Sequence, residues 1–278
     1  MRQADGPVLV GALSDDGLEV SVFGDVETFW RASGTLEATG RTLSVTPEDL
    51  VPPVPAGARV LCVGLNYRDH VSEGSFKDEA LPEFPTLFAR WPASLTTDGA
   101  EVPVPSDEDG LDWEGEVVAW VGSTLVDATP EEALAAVIGY STFNDITSRR
   151  AQKRTSQWII GKNGDRSGPL GPMVPAAEVG SLAEGLTVET RVNGEVVQHG
   201  STAQMIYGVG ETLAHISRTF TINPGDLLAT GTPSGVGYAR TPPWLLQPGD
   251  VVEVEVEGLG ILTNRIVDNS HRLAAVSR

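Results

Sequence analysis

Cysteine is nearly absent from this sequence, which has only Cys62 in its 278 residues. A single thiol rules out an internal disulfide, a paired-cysteine redox motif and a cysteine-rich zinc site. Long apolar stretches are missing as well, and no run approaches the roughly 20 residues that a membrane-spanning helix needs. The N-terminus has no basic start followed by an apolar stretch, as a secretory signal would. We therefore expect a cytoplasmic protein that does not enter a membrane.

Basic residues are also scarce. The chain has 19 lysines and arginines but 38 aspartates and glutamates, so its formal net charge is 19 − 38 = −19. Nucleic-acid binding depends on clustered basic side chains that contact phosphates, and this balance argues against a nucleic-acid partner. An acidic surface still permits a local basic pocket for a small anion, although solubility alone also explains the excess of acid.

The first 58 residues have the pattern of a small unit with short strands. Apolar stretches on either side of an Asp-Asp-Gly sequence predict a β-hairpin within 7–30, and a short helix is expected around 26–33. Three prolines and a glycine in 51–57 exclude the interior of a helix or a central strand there. We predict a small N-terminal domain and linker over 1–58, and a larger domain over 59–278.

The larger part is rich in strand patterns. Its clearest helix is predicted over 130–140, with Thr129 as N-cap and Pro130 in the first turn. From 186 onward an Asn-Gly hairpin, a second helix and two Pro-Gly-Asp turns indicate mostly β structure. Because strands and helices do not alternate, the pattern argues against a doubly wound sheet and favours an α+β fold that is mostly β.

Two carboxylates stand in a metal-ligand pattern. Glu114 and Glu116 are two residues apart, a spacing that places both on one face of a strand. Like charges so close destabilise a strand unless positive charge lies between them, and Mg²⁺ or Mn²⁺ accepts carboxylate oxygens. Asp145, expected in a loop after the helix, offers a third oxygen. The alternatives are an acidic, solvent-facing strand edge for the glutamates and a turn residue for Asp145.

A second pair suggests acid–base chemistry. His70 and Glu73 lie three residues apart and share one face if 68–79 is helical. A carboxylate beside an imidazole raises its basicity and fixes its tautomer, as a general base requires. The alternative is an exposed histidine near a glutamate. We interpret the other three histidines as structural; they are His199, His215 and His271.

Two glycine-rich segments suggest anion contacts. Lys162 lies in a glycine-flanked segment that does not match the phosphate-binding P-loop. The small residues of 230–237 permit backbone N–H groups to approach an anion, and a tight turn is the simpler interpretation.

Taken together, these segments resemble the fumarylacetoacetate hydrolase superfamily. The similarity runs from about Arg59 to Asp268. It is carried, in the family's order and spacing, by VGLNYRDHVSE, PTLFARWPASL, LDWEGEVVAWVG, GYSTFNDITSRRAQ, GKNGDRSGPLGP, VNGEVVQ, LLATGTPSGVG and PGDVVEVEVEGLG.

The resemblance implies a mixed β-roll catalytic domain, a homodimer and a bound Mg²⁺ or Mn²⁺. It implies that three groups of side chains carry the chemistry. The metal ligands are Glu114, Glu116 and Asp145; the catalytic residues are His70 and Glu73 on a mobile lid, with Lys162; the substrate-binding residues are Arg90, Gln152 and Thr232.

The sequence departs from the family pattern at three positions in or near the substrate-binding segments. Arg90 stands where many members have lysine, and Arg150 where an acid is common. Gly164 replaces the usual aromatic residue after the lysine motif. The metal and lid positions are intact, so an activity is better supported than a particular substrate.

The resemblance leads to one main functional prediction. We predict a metal-dependent hydrolase that cleaves a C–C bond in a β-diketo acid of the acylpyruvate or fumarylpyruvate type. His70 and Glu73 would activate the attacking water, and an enolate would be the leaving group. The same enolate arises in decarboxylation or isomerisation of an oxaloacetate-like or other 2-oxo dicarboxylic acid. A non-catalytic binding protein with the family fold is the alternative from another class.

Overall fold

The computed structural model describes residues 1–2, 6–73 and 83–270, and this part of the chain is mostly β. The strands are β1 (Leu9–Leu13), β2 (Glu19–Asp25), β3 (Thr42–Ser44), β4 (Val60–Gly64), β5 (Thr86–Arg90), β6 (Leu95–Thr96), β7 (Val102–Pro103), β8 (Gly115–Val121), β9 (Val137–Asn144), β10 (Gly168–Pro169), β11 (Val174–Pro175), β12 (Thr187–Val192), β13 (Glu195–Ser201), β14 (Leu227–Ala229), β15 (Val251–Val256) and β16 (Gly260–Val267). The helices are α1 (Val26–Arg31), α2 (Arg68–Glu73), α3 (Pro130–Ala135), α4 (Arg149–Gln152), α5 (Ile159–Lys162), α6 (Ala176–Val179) and α7 (Val209–Ser217). Within the described ranges, no helix is both long and apolar enough to span a bilayer. The predicted α+β class, mostly β, is confirmed.

Two large sheets organise the chain after the linker. A six-stranded sheet has the order β11-β9-β8-β14-β4-β5, with β14 and β4 parallel and its other neighbours antiparallel. A five-stranded sheet has the order β13-β12-β15-β16-β7. Strand β8 is buried at every residue because both of its faces are covered. Val117 on one face packs with Val188 and Val256 of the five-stranded sheet, and Trp120 on the other packs with Trp30 of the N-terminal unit.

The N-terminal unit contains the predicted hairpin and helix. Strands β1, β2 and β3 form an antiparallel sheet, and α1 follows β2. The indole of Trp30 in α1 stacks on that of Trp120, with centroids 5.4 Å apart and planes 5° apart. Trp30 Nε1 also donates a hydrogen bond of 2.6 Å to the carbonyl oxygen of Pro53 in the proline-rich segment. This unit therefore shares a hydrophobic core with the larger part, and its status as a separate domain stays a prediction.

The helix predicted over 130–140 was only partly right. Its start is confirmed, because Thr129 and Glu132 form a capping box in which each side chain accepts the other's backbone N–H. The helix ends at Ala135, and 137–140 belong to β9. The β-branched Val137 and Ile138 favour a strand, and pairing with β8 decides the conformation. Asp145 therefore follows a strand and not, as expected, a helix.

The segment with the His-Glu pair is helical where it is described. Helix α2 covers Arg68–Glu73, which confirms the first part of the helix predicted over 68–79. Buried Asn66, just before it, donates hydrogen bonds to the carbonyl oxygens of Tyr207 and Thr230, at 3.0 and 2.7 Å. The remainder of the predicted helix and lid, 74–82, lies outside the described residues, as does His271.

Candidate active site

A cavity of about 530 Å³ opens beside the six-stranded sheet. Its wall includes seven of the nine predicted site residues, which are His70, Glu73, Glu114, Glu116, Gln152, Lys162 and Thr232. The other two, Asp145 and Arg90, lie behind this wall and are buried. The fold thus brings together predicted site residues that are up to 162 positions apart in the chain (232 − 70).

Strand pairing brings the three predicted metal ligands together. Glu114 directly precedes β8, Glu116 lies in β8, and Asp145 directly follows β9, the antiparallel partner of β8. The backbone N–H of Asp145 donates to the carbonyl oxygen of Glu114 at 2.9 Å. One carboxylate oxygen from each residue lies within 4.8 Å of the others. All three side chains are buried, so the solvent-facing alternative does not describe this strand end.

Two of the three carboxylates are neutralised by basic side chains. Lys162 Nζ bonds to Glu114 and lies 2.7 Å from Asp145 Oδ2. Arg149 Nη2 donates to Glu114 Oε1 at 2.6 Å, and Arg90 Nη1 donates to Asp145. Burial opposes ionisation of Glu114, yet the charges of Lys162 and Arg149 hold its pKa below the usual value. These two positions are thus ready as anionic ligands.

Glu116 is the carboxylate without such a partner. Its Oε2 accepts the N–H of Gly231 at 2.9 Å, and in the described part of the chain no lysine or arginine lies within ion-pair distance. Burial raises the pKa of Glu116 well above its ordinary value, and the charges of Asp145 and Glu114 raise it further. The centre consequently lacks positive charge at this one position.

This arrangement fits a hard divalent cation. Three carboxylate oxygens are the donor set that Mg²⁺ and Mn²⁺ prefer, and a cation between them would supply the charge that Glu116 lacks. The same oxygen donors suit both Mg²⁺ and Mn²⁺.

His70 and Glu73 form a hydrogen-bonded pair on the cavity wall. His70 Nδ1 lies 2.8 Å from Glu73 Oε1, and Gly235 N–H donates to both carboxylate oxygens of Glu73, at 3.0 and 2.8 Å. Because this carboxylate acts as acceptor, Nδ1 carries the proton and Nε2 keeps a lone pair in the neutral ring. The pair therefore has the arrangement of a general base.

The small-residue segment 230–237 donates its backbone N–H groups to the protein's own carboxylates. Gly231 donates to Glu116, Gly235 to Glu73, and Gly237 to Asp112 at 2.7 Å. Gly235 has a φ of 105°, and a Cβ there would lie 2.3 Å from the carbonyl oxygen of Val197. The segment thus fixes the acids of the site and is more than the tight turn considered from its sequence.

The three predicted substrate-binding residues have different surroundings. Gln152 lines the cavity and accepts a bond of 3.0 Å from Arg149 Nη1. The hydroxyl of Thr232 donates to the Gly115 carbonyl oxygen at 2.9 Å and accepts from Gln198 Nε2 at 2.8 Å. Arg90 bonds to Asp145 and to Ser167 Oγ, at 2.6 Å for the latter. In this position Arg90 supports Asp145, and its direct contact with a substrate stays a prediction.

The other two departures from the family pattern lie away from the cavity wall. Arg150 is exposed and pairs with Asp109 and Asp107. The carbonyl oxygen of Gly164 accepts the hydroxyl of Ser167 at 2.7 Å, and that hydroxyl also accepts from Arg90. Arg150 therefore pairs with an acidic surface loop. Gly164 is connected to buried Arg90 through the hydroxyl of Ser167.

Sequence reasoning missed Asp112, which organises the site. Asp112 is fully buried and accepts bonds from Arg149 Nε at 2.7 Å and from the backbone N–H groups of Gly237 and Tyr238. It thereby joins helix α4 to the end of the small-residue segment. A signal was present, because Asp112 precedes Glu114 by the same two-residue spacing that identified Glu116.

Comparison with known proteins gives concordant matches. Residues 59–267 match the family model described as fumarylacetoacetate (FAA) hydrolase C-terminal. The oxaloacetate tautomerase YisK of Bacillus subtilis is 39% identical over 226 residues, which are 80% of this chain and 74% of that protein. The human mitochondrial oxaloacetate tautomerase FAHD2A is 36% identical over 217 residues, covering 77% and 68%.

A solved structure extends the likeness to the fold. The fumarylpyruvate hydrolase of Pseudomonas aeruginosa, in complex with Mn²⁺ and pyruvate, has a TM-score of 0.70 and 35% identity, covering 77% of this chain and 91% of that one. Its Mn²⁺ agrees with the donor chemistry of the buried carboxylates described above. The family match over most of the chain, the sequence identities and the shared fold lead to one conclusion: this chain belongs to the fumarylacetoacetate hydrolase superfamily.

Proposed function

We propose that this protein is a metal-dependent enzyme that interconverts the enol and keto forms of a 2-oxo dicarboxylic acid such as oxaloacetate. The observation that carries the proposal is the presence, in one cavity, of the carboxylates of a divalent-metal site and of the His70–Glu73 pair. The choice of oxaloacetate is supported by the relatives named oxaloacetate tautomerases.

The metal would be held by Glu114, Glu116 and Asp145. When bound, it would supply positive charge that stabilises an enolate oxygen of a 2-oxo acid. Lys162 and Arg149 hold Glu114 in place, and Lys162 and Arg90 hold Asp145, so the ligands are oriented before a cation arrives.

His70 is the residue that would move the proton. Tautomerisation takes a proton from the carbon next to the carbonyl and returns one to the carbonyl oxygen, while the electron pair of the broken C–H bond forms the C=C bond. The Nε2 lone pair of His70 would accept the carbon proton, and Glu73 would stabilise the imidazolium that results. Gly235 fixes Glu73, so the ring keeps one tautomer and one orientation.

C–C bond hydrolysis of an acylpyruvate or fumarylpyruvate is the second candidate. The same His70 lone pair would deprotonate a water molecule for attack on the distal carbonyl. The likeness to a fumarylpyruvate hydrolase crystallised with pyruvate supports this candidate. Loss of CO₂ from oxaloacetate would give the same type of enolate without any nucleophile. A non-catalytic role is less supported, because a binding protein does not need an oriented base beside a metal site.

The test is a comparison of three substrates with Mg²⁺ or Mn²⁺. Ultraviolet absorbance follows ketonisation of enol-oxaloacetate, loss of diketo absorbance follows cleavage of acylpyruvates and fumarylpyruvate, and a coupled assay for pyruvate follows decarboxylation. We expect metal-dependent acceleration of oxaloacetate tautomerisation that a chelator abolishes. Rates equal to the buffer rates with both metals would overturn the proposal, and rapid cleavage of acylpyruvates with no effect on oxaloacetate would select the second candidate.

The homodimer implied by the family is part of the proposal and has its own test. One chain has a mass of 29.4 kDa, and light scattering of the purified protein should give twice that mass.

A further inference from the structure

The cavity wall contains three lysines and arginines, and two of them are paired with internal acids. Lys162 bonds to Glu114 and Asp145, and Arg149 bonds to Glu114 and Asp112. The third, Lys153, has no carboxylate partner in the part of the chain that the structure describes. Several acids also line this cavity. To bind an anionic substrate, it therefore needs a positive charge that no protein carboxylate already neutralises.

Lys153 is held at the open side of the cavity by an aromatic ring. Its Nζ lies 3.2 Å from the centroid of the Tyr238 ring, and both residues are exposed and line the cavity. A cation on an exposed ring is bound weakly compared with a cation on a carboxylate. The ammonium group is thus placed at the cavity and yet remains free to bind a stronger partner.

The placement of this pair is built into the fold of the site. Lys153 directly follows α4, and its backbone N–H donates to the carbonyl oxygen of Arg149 at 3.2 Å. Buried Asp112 accepts bonds from Arg149 and from the backbone N–H of Tyr238, at 2.7 and 3.1 Å. One carboxylate therefore fixes the two segments that present the lysine and the ring.

We propose that Lys153, supported by the ring of Tyr238, binds the second carboxylate of a 2-oxo dicarboxylic acid and so determines the preference for dicarboxylates over monocarboxylates. This inference rests on the proposed function, in which the 2-oxo acid end of the substrate lies at the buried carboxylates. The distal end then extends toward the open side, where Lys153 is the unpaired cation among the described wall residues. The flexible four-carbon stem of lysine allows distal carboxylates at different distances to be reached.

The experiment measures binding of two probes by calorimetry with Mn²⁺ present. In oxalate both carboxylates belong to the chelating unit, so none is left to reach Lys153, whereas 2-oxoglutarate has a chelating 2-oxo acid end and a separate distal carboxylate. For Lys153→Gln we expect the dissociation constant of 2-oxoglutarate to rise about tenfold, which is typical of losing one charge-assisted hydrogen bond at a partly exposed site. Oxalate binding should change by less than about twofold. The KM for oxaloacetate should rise with kcat nearly unchanged.

Neighbouring and conservative variants serve as controls. Arg154→Gln removes the same charge one residue away, from a side chain that pairs with Asp107, and should leave both probes unaffected. Lys153→Arg should restore most of the 2-oxoglutarate affinity. Tyr238→Leu, which removes the ring, should weaken 2-oxoglutarate alone, and Tyr238→Phe should behave as the parent.

Each outcome decides one of the two claims. Equal loss of both probes in Lys153→Gln, or no loss of either, would overturn the role of Lys153. Failure of the parent protein to bind oxalate with Mn²⁺ would instead overturn the proposed function. Unchanged oxalate binding in a variant shows that its site is folded, so a selective loss of 2-oxoglutarate supports the proposal.

Discussion

The ammonium of Lys162 lies 2.7 Å from a carboxylate oxygen of Asp145, and both side chains are almost completely buried. The same ammonium bonds to Glu114, so one lysine compensates two acids. Lys162→Met leaves these buried acids with less compensating positive charge, and breaking such a buried pair typically costs about 3–5 kcal/mol. In the presence of a chelator we expect the free energy of unfolding to fall by about 3 kcal/mol in urea titrations. Mn²⁺ should restore part of the loss, because it binds the folded site.

The control for this variant is Lys153→Met, the same substitution at an exposed lysine. It should change the free energy of unfolding by less than about 0.5 kcal/mol. Similar destabilisation by both variants would contradict the charge balance described for the metal centre.

Substitution of Glu116, unlike that of Lys162, should leave the stability of the metal-free protein intact. Glu116→Gln removes the carboxylate that no basic side chain compensates, so it should not destabilise the metal-free protein. It also removes a ligand charge, so Mn²⁺ affinity and turnover should both fall, by at least about tenfold. Calorimetric Mn²⁺ titration and thermal unfolding in a chelator measure the two effects. Glu195→Gln on the exposed hairpin is the control and should alter neither. Wild-type turnover of Glu116→Gln at low Mg²⁺ would mean that the metal site is misassigned.

The role of His70 separates hydrolysis from decarboxylation. For the second candidate, C–C bond hydrolysis, His70→Ala should lower the rate of acylpyruvate cleavage by at least the ~10²–10⁴-fold typical of losing a general base. Decarboxylation needs no nucleophile, so the variant should keep a larger share of that activity. Initial rates on both substrates give the comparison. Equal losses would assign His70 to closing the site or to protonating the enolate and would remove the water-activation role.

His199→Ala provides a matched control for that experiment. His199 is also beside a glutamate, with Nδ1 3.3 Å from Glu189 Oε2, but this pair bridges the neighbouring strands β13 and β12 and does not line the cavity. Its loss should leave both rates within about twofold of the parent.

Cys62 should report global unfolding. It is fully buried in β4, and burial together with the charges of Asp145 and Glu116 raises the pKa of its thiol well above the ordinary value. A thiol reagent should therefore fail to label the native protein and should label one equivalent in urea. Labelling of the native protein at the denatured rate would show that β4 opens without unfolding.

The sequence predicted those parts of the site that depend on local spacing. Glu114 and Glu116 were found because strand geometry repeats every two residues, and His70 with Glu73 because helix geometry brings i and i+3 together. The contact of Arg149 with Glu114 spans 35 positions and that of Arg90 with Asp145 spans 55, so both depend on sheet pairing. Spacing alone cannot predict such contacts.

The C-terminal end of helix α3 could not be predicted from local sequence either. The run after Pro130 contains good helix formers and a proper cap, but 137–140 pair with β8 instead. Tertiary pairing overrides local propensity there, because an eight-residue strand in a buried sheet contributes more than one further helical turn.

The stack of Trp30 on Trp120 has a consequence for how the protein melts. Its two indoles come from opposite sides of the proline-rich segment, and neither ring can leave the stack without exposing apolar surface of both. The N-terminal unit and the large sheets should then lose their structure together, giving a single calorimetric peak whose van't Hoff and measured enthalpies agree. Loosening the stack by Trp30→Ala should split that peak, so that the first 58 residues melt at a lower temperature than the rest of the chain.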